Sequence, residues 1–273
     1  MKFFILRIIK YFMLPLGIIY RFLFSKGDEV IILMYHRVND KVMKELSVKE
    51  KDFLWQMAYL KKKGYSVLTM DQVFKKINSN KIKGRHIVIS FDDGYEDFTS
   101  KAFPILKQYG FPSILYLVPG YIEGDRDYWW DKDLGKSDLL SWKQILRLKD
   151  SQLVEFGSHT LHHLDLNRLE KDQIISEIEN SKNIIEEKLN RRVRHFSYPR
   201  GIYNKEAEKI IYKKYDTGVL IFNGIPITPI MNIRYRARLK RIPIQRSDGK
   251  VLFLARIKGW LVLEELFRRI IKI

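Results

Sequence analysis

Short β-like runs alternate along this chain with helical stretches of ten to twenty residues. That alternation restricts the fold to βα units around a parallel sheet or barrel. Seven such runs are predicted, at 30–35, 65–68, 86–91, 113–118, 153–156, 195–198 and 217–221. Helical patterns lie at 48–62, 70–78, 99–109, 142–149, 171–189 and 205–215. The longest connection, 119–140, is rich in Gly, Asp and aromatics and is expected to form a rim over a site. The chain has 273 residues, 46% of them hydrophobic, enough to bury a large core. Residues 27–250 read as a single domain, with 1–26 and 251–273 as distinct ends.

Those ends carry most of the charge. The formal net charge is +18, yet residues 1–26 hold five Lys/Arg and no acid, and residues 234–273 hold twelve Lys/Arg against three acids. The body between is nearly balanced, and both ends are apolar, which argues against nucleic acid as a partner and for a membrane surface. The longest uncharged stretch in the N-terminal segment, 11–20, has ten residues and includes Pro15, against about 20 for a spanning helix. No small-residue cleavage site follows it, so an interfacial anchor is expected. At the other end Trp260, Leu263, Phe267, Ile270 and Ile271 share one helical side and Lys258, Glu265, Arg268, Arg269 and Lys272 the other, which predicts a basic amphipathic helix over 257–273. An ordinary helix packed on the domain has the same pattern. The chain is therefore expected to be membrane-associated, with the side of the membrane and the oligomeric state left open.

Chemistry-bearing residues cluster at the ends of the predicted strands, where ligands converge in parallel folds. Asp92 and Asp93 close the run Ile87-Val88-Ile89, and His159 and His163 follow Leu153–Phe156. Cysteine is absent, so any metal must be held by His, Asp or Glu. Two imidazoles four apart with one carboxylate form a facial set that leaves positions open on a divalent ion. His159, His163 and Asp93 suit it, with Asp92 as a neighbouring general base. His162 is expected to point away.

Ser90-Phe91-Asp92-Asp93-Gly94, His159-Thr160-Leu161-His162-His163 and Tyr198-Pro199-Arg200-Gly201 resemble, in order and spacing, the first three motifs of the polysaccharide deacetylase family, carbohydrate esterase family four. Met34-Tyr35-His36-Arg37-Val38, Trp129-Trp130-Asp131 and Trp142 are similar to it too, so the likeness covers roughly 30–222. The resemblance implies an α/β fold, a distorted (β/α)7 barrel, and metal-dependent removal of an N-acyl group, usually acetyl, from an amino-sugar glycan. It makes Asp93, His159 and His163 the ligands of one divalent ion, with zinc expected and cobalt, nickel or iron as alternatives, and Asp92 the base. The backbone N–H of Arg200 would help hold the oxyanion.

Two departures stand out. The arginine that many members use to orient the base is Ser197 here, and no histidine follows His195 to supply the general acid. An exopolysaccharide-type subset carries Tyr-His on an early strand, and His36 matches that histidine as the candidate acid; the plain alternative is a strand-end histidine with satisfied hydrogen bonds. Tyr128, Trp129, Trp130, Trp142 and Tyr203 are candidate sugar-stacking surfaces, with Trp129 and Trp130 foremost. Tyr198 is a further candidate substrate contact and Asp131 an acceptor for sugar hydroxyls. A catalytically silent carbohydrate-binding protein is the alternative to an enzyme, and the complete ligand set beside Asp92 argues against it. The location suggests a membrane-linked substrate, such as a lipid-linked sugar or a nascent surface polysaccharide.

Overall fold

The computed structural model describes residues 2–24, 28–124, 127–135, 138–221, 233–261 and 264. The chain begins with α1 (Lys2–Phe24), β1 (Glu29–Tyr35), β2 (Arg37–Val38), β3 (Ser47–Val48), α2 (Glu50–Lys62), β4 (Ser66–Val67) and α3 (Met70–Asn78). It continues through β5 (Arg85–Phe91), α4 (Phe103–Tyr109), β6 (Ser113–Leu117), α5 (Trp142–Lys149), β7 (Val154–Ser158) and α6 (Lys171–Leu189). Last come β8 (His195–Ser197), α7 (Lys205–Lys214), β9 (Thr217–Ile221), β10 (Leu239–Pro243) and α8 (Gly249–Ile257).

Strands β1, β10, β9, β8, β7, β6 and β5 pair in that order, and β1 pairs with β5, closing a seven-stranded ring. Every pairing in the ring is parallel. The expected (β/α)7 barrel is thus present. The β7–β8 contact rests on one registered pair, Ser158 opposite Phe196, so the ring is uneven. The pleat sorts the core into two sets. Ile31, Leu33, Ile87, Ile89, Leu115 and Phe196 face the helices. Val30, Ile32, Val88, Ile114, Tyr116, Val219 and Leu239 fill the barrel. Strands buried on both faces read as continuous apolar runs, which is why most of them were visible in the sequence.

The strand list needs correction at two places. The run at 65–68 is not in the ring: only Ser66 and Val67 are strand, paired to the first half of β5. The seventh ring strand is β10, which joins Ile32 of β1 to β9. Its sequence, Leu-Lys-Arg-Ile-Pro, holds two cations and a proline, so no apolar run marks it.

The helices start where local chemistry dictates. Thr69 before α3 and Ser141 before α5 each form a capping box with the glutamine three residues on. At the C-terminal end the expected domain boundary at 250 cuts through α8, whose Leu252, Phe253, Ala255, Arg256 and Ile257 are buried in the barrel wall. The helix expected over 257–273 does not start there, because α8 ends at Ile257 and 258–261 form turns; 262–263 and 265–273 lie outside the described residues.

Candidate active site

The acids and histidines converge at the C-terminal mouth of the barrel. Asp92 and Asp93 leave β5, His159 leaves β7, and His36 leaves β1. Asp93 Oδ1 faces His159 Nε2 and His163 Nε2 at 3.6 Å each. The three ligand atoms lie within 4.8 Å of one another. The segment carrying the histidines is a loop, not a helical turn; Thr160 and His163 have left-handed φ of 64° and 54°, and Thr160 Oγ1 accepts from the His163 N–H at 2.9 Å. His159 Nδ1 hydrogen-bonds the Ser197 carbonyl at 2.7 Å, which leaves Nε2 unprotonated toward the other two ligands. His162 pairs instead with Glu177 at 2.7 Å, away from the cluster as expected.

These donors fit a divalent ion. Asp93 Oδ1 is buried without a hydrogen-bond partner among the described residues. Burial, with the charges of Asp92 and Asp131 beside it, drives the Asp93 carboxyl well above its ordinary range, so the site favours a cation there. Burial lowers both imidazoles, His163 to about 2, and keeps them in the neutral form that ligates. A second group with ligand-like composition, Asp71, Glu155 and His195, lies at the opposite end of the barrel, but its donors are engaged. Glu155 accepts from the Met70 and Asp71 N–H groups at 2.6 and 3.0 Å, and Asp71 pairs with His195 and Arg194.

Asp92 is 1% exposed and grips the one functional side chain that sequence reasoning missed. Arg241, fully buried on β10, donates to Asp92 Oδ1 at 2.7 Å and to Oδ2 at 2.6 Å. It also donates to Ser197 Oγ at 2.8 Å and Ser90 Oγ at 3.2 Å, and Ser197 Oγ reaches Asp92 Oδ2 at 3.3 Å. A serine at 197 therefore goes with an arginine arriving from two strands away. Burial alone would raise Asp92, but the charge and hydrogen bonds of Arg241 hold it well below the usual carboxylate range. The Tyr116 ring lies 5.3 Å from the guanidinium carbon.

A cavity of about 250 Å³ opens over this cluster, lined by His36, Asp92, Asp93, Trp129, Trp130, His159, His163 and Arg200 among others. It is smaller than the ~300–1,000 Å³ of drug-sized sites, which suits one sugar unit. Trp129 is 62% exposed at its edge, and Trp130 stacks on Tyr128 at 4.5 Å and meets the His163 ring in a T-shaped contact at 4.8 Å. His36 has Nε2 3.8 Å from Asp93 Oδ2 and a buried Nδ1 without a partner, and burial lowers it to about 4. Arg200 takes a left-handed φ of 54°, and its side chain grips Asp165 through Nε–Oδ1 at 2.7 Å and Nη2–Oδ2.

Five aromatic or acidic candidates lie elsewhere. Tyr198 is fully buried, packed edge-on against Phe196, because the residue preceding Pro199 turns its ring into the helix-facing core. Tyr128 is buried as well, and its hydroxyl donates to the Asp93 carbonyl at 3.0 Å, supporting the ligand loop rather than meeting substrate. Trp142 is core. Asp131, 1% exposed, accepts from Tyr95 at 2.8 Å and lies near Arg37 and Lys44, so it braces the rim and has no surface for a sugar hydroxyl. Tyr203 packs partly buried on the core.

The family model for polysaccharide deacetylases matches residues 79–216, the stretch from β5 through α7 that carries the three candidate ligands. The chain belongs to the polysaccharide deacetylase family. Bacillus subtilis YxkH, named for the same family, is 30% identical over 197 residues, covering 71% of this chain and 65% of that protein. A poly-β-1,6-N-acetyl-D-glucosamine N-deacetylase from Staphylococcus aureus is 25% identical over 210 residues, 69% of this chain and 70% of the relative. Among solved structures, the Streptococcus pyogenes deacetylase PplD in complex with acetate superposes with a TM-score of 0.71 at 25% identity, over 85% of this chain and 99% of that one. IcaB from Ammonifex degensii shares the fold with a TM-score of 0.72 at 19% identity.

Proposed function

We propose that this deacetylase-family chain hydrolyses N-acyl groups, with N-acetyl foremost, from amino sugars of a polysaccharide or lipid-linked glycan. The observation that carries the reading is the fully buried Asp92, clamped through both carboxyl oxygens by Arg241, beside three converging candidate ligand atoms in a cavity of about 250 Å³. A carbohydrate-binding protein has no need of a carboxylate held charged at such desolvation cost. The named activities of the S. aureus and S. pyogenes relatives support the same reaction class.

Asp93, His159 and His163 would hold the ion, with zinc favoured by two imidazoles and one carboxylate. When bound, it supplies positive charge that polarises an amide carbonyl and acidifies water. Asp92 takes the proton of the attacking water; Arg241 keeps its carboxylate aimed and unprotonated, at some expense of basicity. The Arg200 peptide, fixed by the Asp165 pair, offers its N–H to the oxyanion. His36, kept neutral by burial, would take a proton from solvent through the open cavity and pass it to the departing nitrogen. Trp129 and Trp130 wall the sugar. The products are a free amine and a carboxylate.

The chain is further proposed to work at a membrane, on the strength of the apolar α1. The test of the chemistry is bound metal with acetate release from N-acetylglucosamine oligomers. Asp92→Asn should keep the metal and lose about 10²–10⁴-fold in rate, and His159→Ala should lose both. Acetate release unchanged in Asp92→Asn would overturn the assignment.

A further inference from the structure

Helix α1 is built inside out. At about 100° per residue, Arg7, Lys10, Leu14, Gly17 and Arg21 fall on one side, and that side meets the protein. Arg7 Nε donates to the Ser247 carbonyl at 2.8 Å. Lys10, 3% exposed, donates to Gln245 Oε1, Ser247 Oγ and Asp248 Oδ1 at 2.7 Å each. Gly17 lies so close to Trp260 that an added Cβ would stand 1.6 Å from its carbonyl oxygen. Arg21 donates to Glu29 Oε2 at 2.6 Å and to the Lys258 carbonyl at 3.1 Å. Every charged side chain between residues 3 and 23 is thus spent on fastening the helix.

The outward arc is neutral and apolar. Phe4, Ile8, Phe12, Ile19, Phe22 and Leu23 are among its exposed members, with Phe12 79% and Phe22 87% exposed. It spans about 200° of the helix, roughly twice the stripe that one packed partner covers. A second copy or a partner helix would leave half of it in water, whereas a bilayer surface wraps it. By length and composition α1 could also cross a membrane. Its ion pairs with the loop before α8 and with the start of β1 hold it against the barrel along its whole length instead.

We infer that α1 is an in-plane membrane helix whose neutral apolar arc enters the headgroup–acyl boundary, while its cations lock it to the barrel rather than attract anionic lipid. This deepens the membrane reading. It also sets an orientation. Arg7 is tied to Ser247, just past the C-terminal end of β10, and Arg21 to Glu29, the first residue of β1. The helix therefore runs from the catalytic rim to the far end, and the barrel lies on its side with its mouth opening along the membrane surface.

The full chain would be sedimented with vesicles of phosphatidylcholine alone and with 30% phosphatidylglycerol. Binding to both, changed no more than about twofold by anionic lipid or 1 M salt, is the expected result. Binding only to anionic vesicles would overturn it, and so would a dimer in solution that ignores vesicles. Because the chain has no cysteine, Phe12→Cys and Leu23→Cys each give a single site for a spin label. Equal depths are expected, since a spanning helix would separate them by about 16 Å. A Phe12→Glu/Ile19→Glu double variant should lose vesicle binding and keep acetate release from soluble oligomers, so failure of the membrane inference and failure of the hydrolase reading are read separately.

Discussion

Replacing Arg241 with Met leaves the Asp92 carboxylate buried at 1% exposure with only the Ser197 hydroxyl, 3.3 Å away, as a hydrogen-bond partner. Removing one member of a buried ion pair costs about 3–5 kcal/mol, and two short bonds at 2.6 and 2.7 Å place this pair in that range. The sign with pH follows. In the native chain the depressed Asp92 contributes stability above the unfolded carboxyl value, and that contribution fades as pH falls. Without Arg241, burial raises Asp92, so the variant loses stability as pH rises through the carboxyl range. Urea unfolding should therefore show a gap between native and Arg241→Met that is widest near pH 7 and shrinks toward pH 4. The acid limb of the kcat/KM profile for acetate release should move to higher pH, because a protonated Asp92 is no base. Arg241→Lys, which keeps charge but loses the fork, should fall between. An Arg241→Met protein with the native acid limb and a pH-independent stability gap would refute the pairing as the source of the base's ionisation.

Chelation should lower the Tm of the native chain and abolish acetate release, while His159→Ala shows no further Tm change with chelator. In Gly157→Ala the new methyl would meet Tyr116 Cδ1 at 2.4 Å and the His195 carbonyl at 2.9 Å, so unfolding in urea should reveal a loss of about 1–3 kcal/mol. Asp165→Asn, which loosens the grip on Arg200, should lower kcat about tenfold with KM little changed; an effect on KM alone would move Arg200 from the oxyanion to sugar binding. Trp129→Ala should raise KM for oligomers with kcat preserved, as expected of an exposed wall.

Much of the barrel was legible because its strands are buried on both faces and read as apolar runs, and α3 and α5 because their stretches carry helical patterns. The missed strand β10 has a specific cause. Inward-pointing positions near the mouth, Ser90, Ser197 and Arg241, are polar because they serve Asp92, and where such a position falls in a short strand the run disappears. In β10 the functional arginine hid the strand that carries it. The odd-even pattern Leu239, Arg241, Pro243 against Lys240, Ile242, Ile244 was the available signal. The ligand set could be read from spacing and resemblance alone, but whether an aromatic was wall or core could not: Trp129 and Tyr198 have equally suggestive neighbours, and only packing separates them. Composition likewise counts the N-terminal cations without saying that Lys10 and Arg21 point into the protein.

Because Arg241 stands 149 residues after the carboxylate it holds, the order of synthesis matters. A ribosome-bound chain that has emerged as far as α7 already contains Asp92, Asp93, His159 and His163, yet its ring has a gap where β9 and β10 belong. Loop closure over that distance must precede the pairing. Hydrolytic competence is thereby made conditional on completion: an unfinished, truncated or frayed molecule can gather the ligands but lacks a base poised to use them.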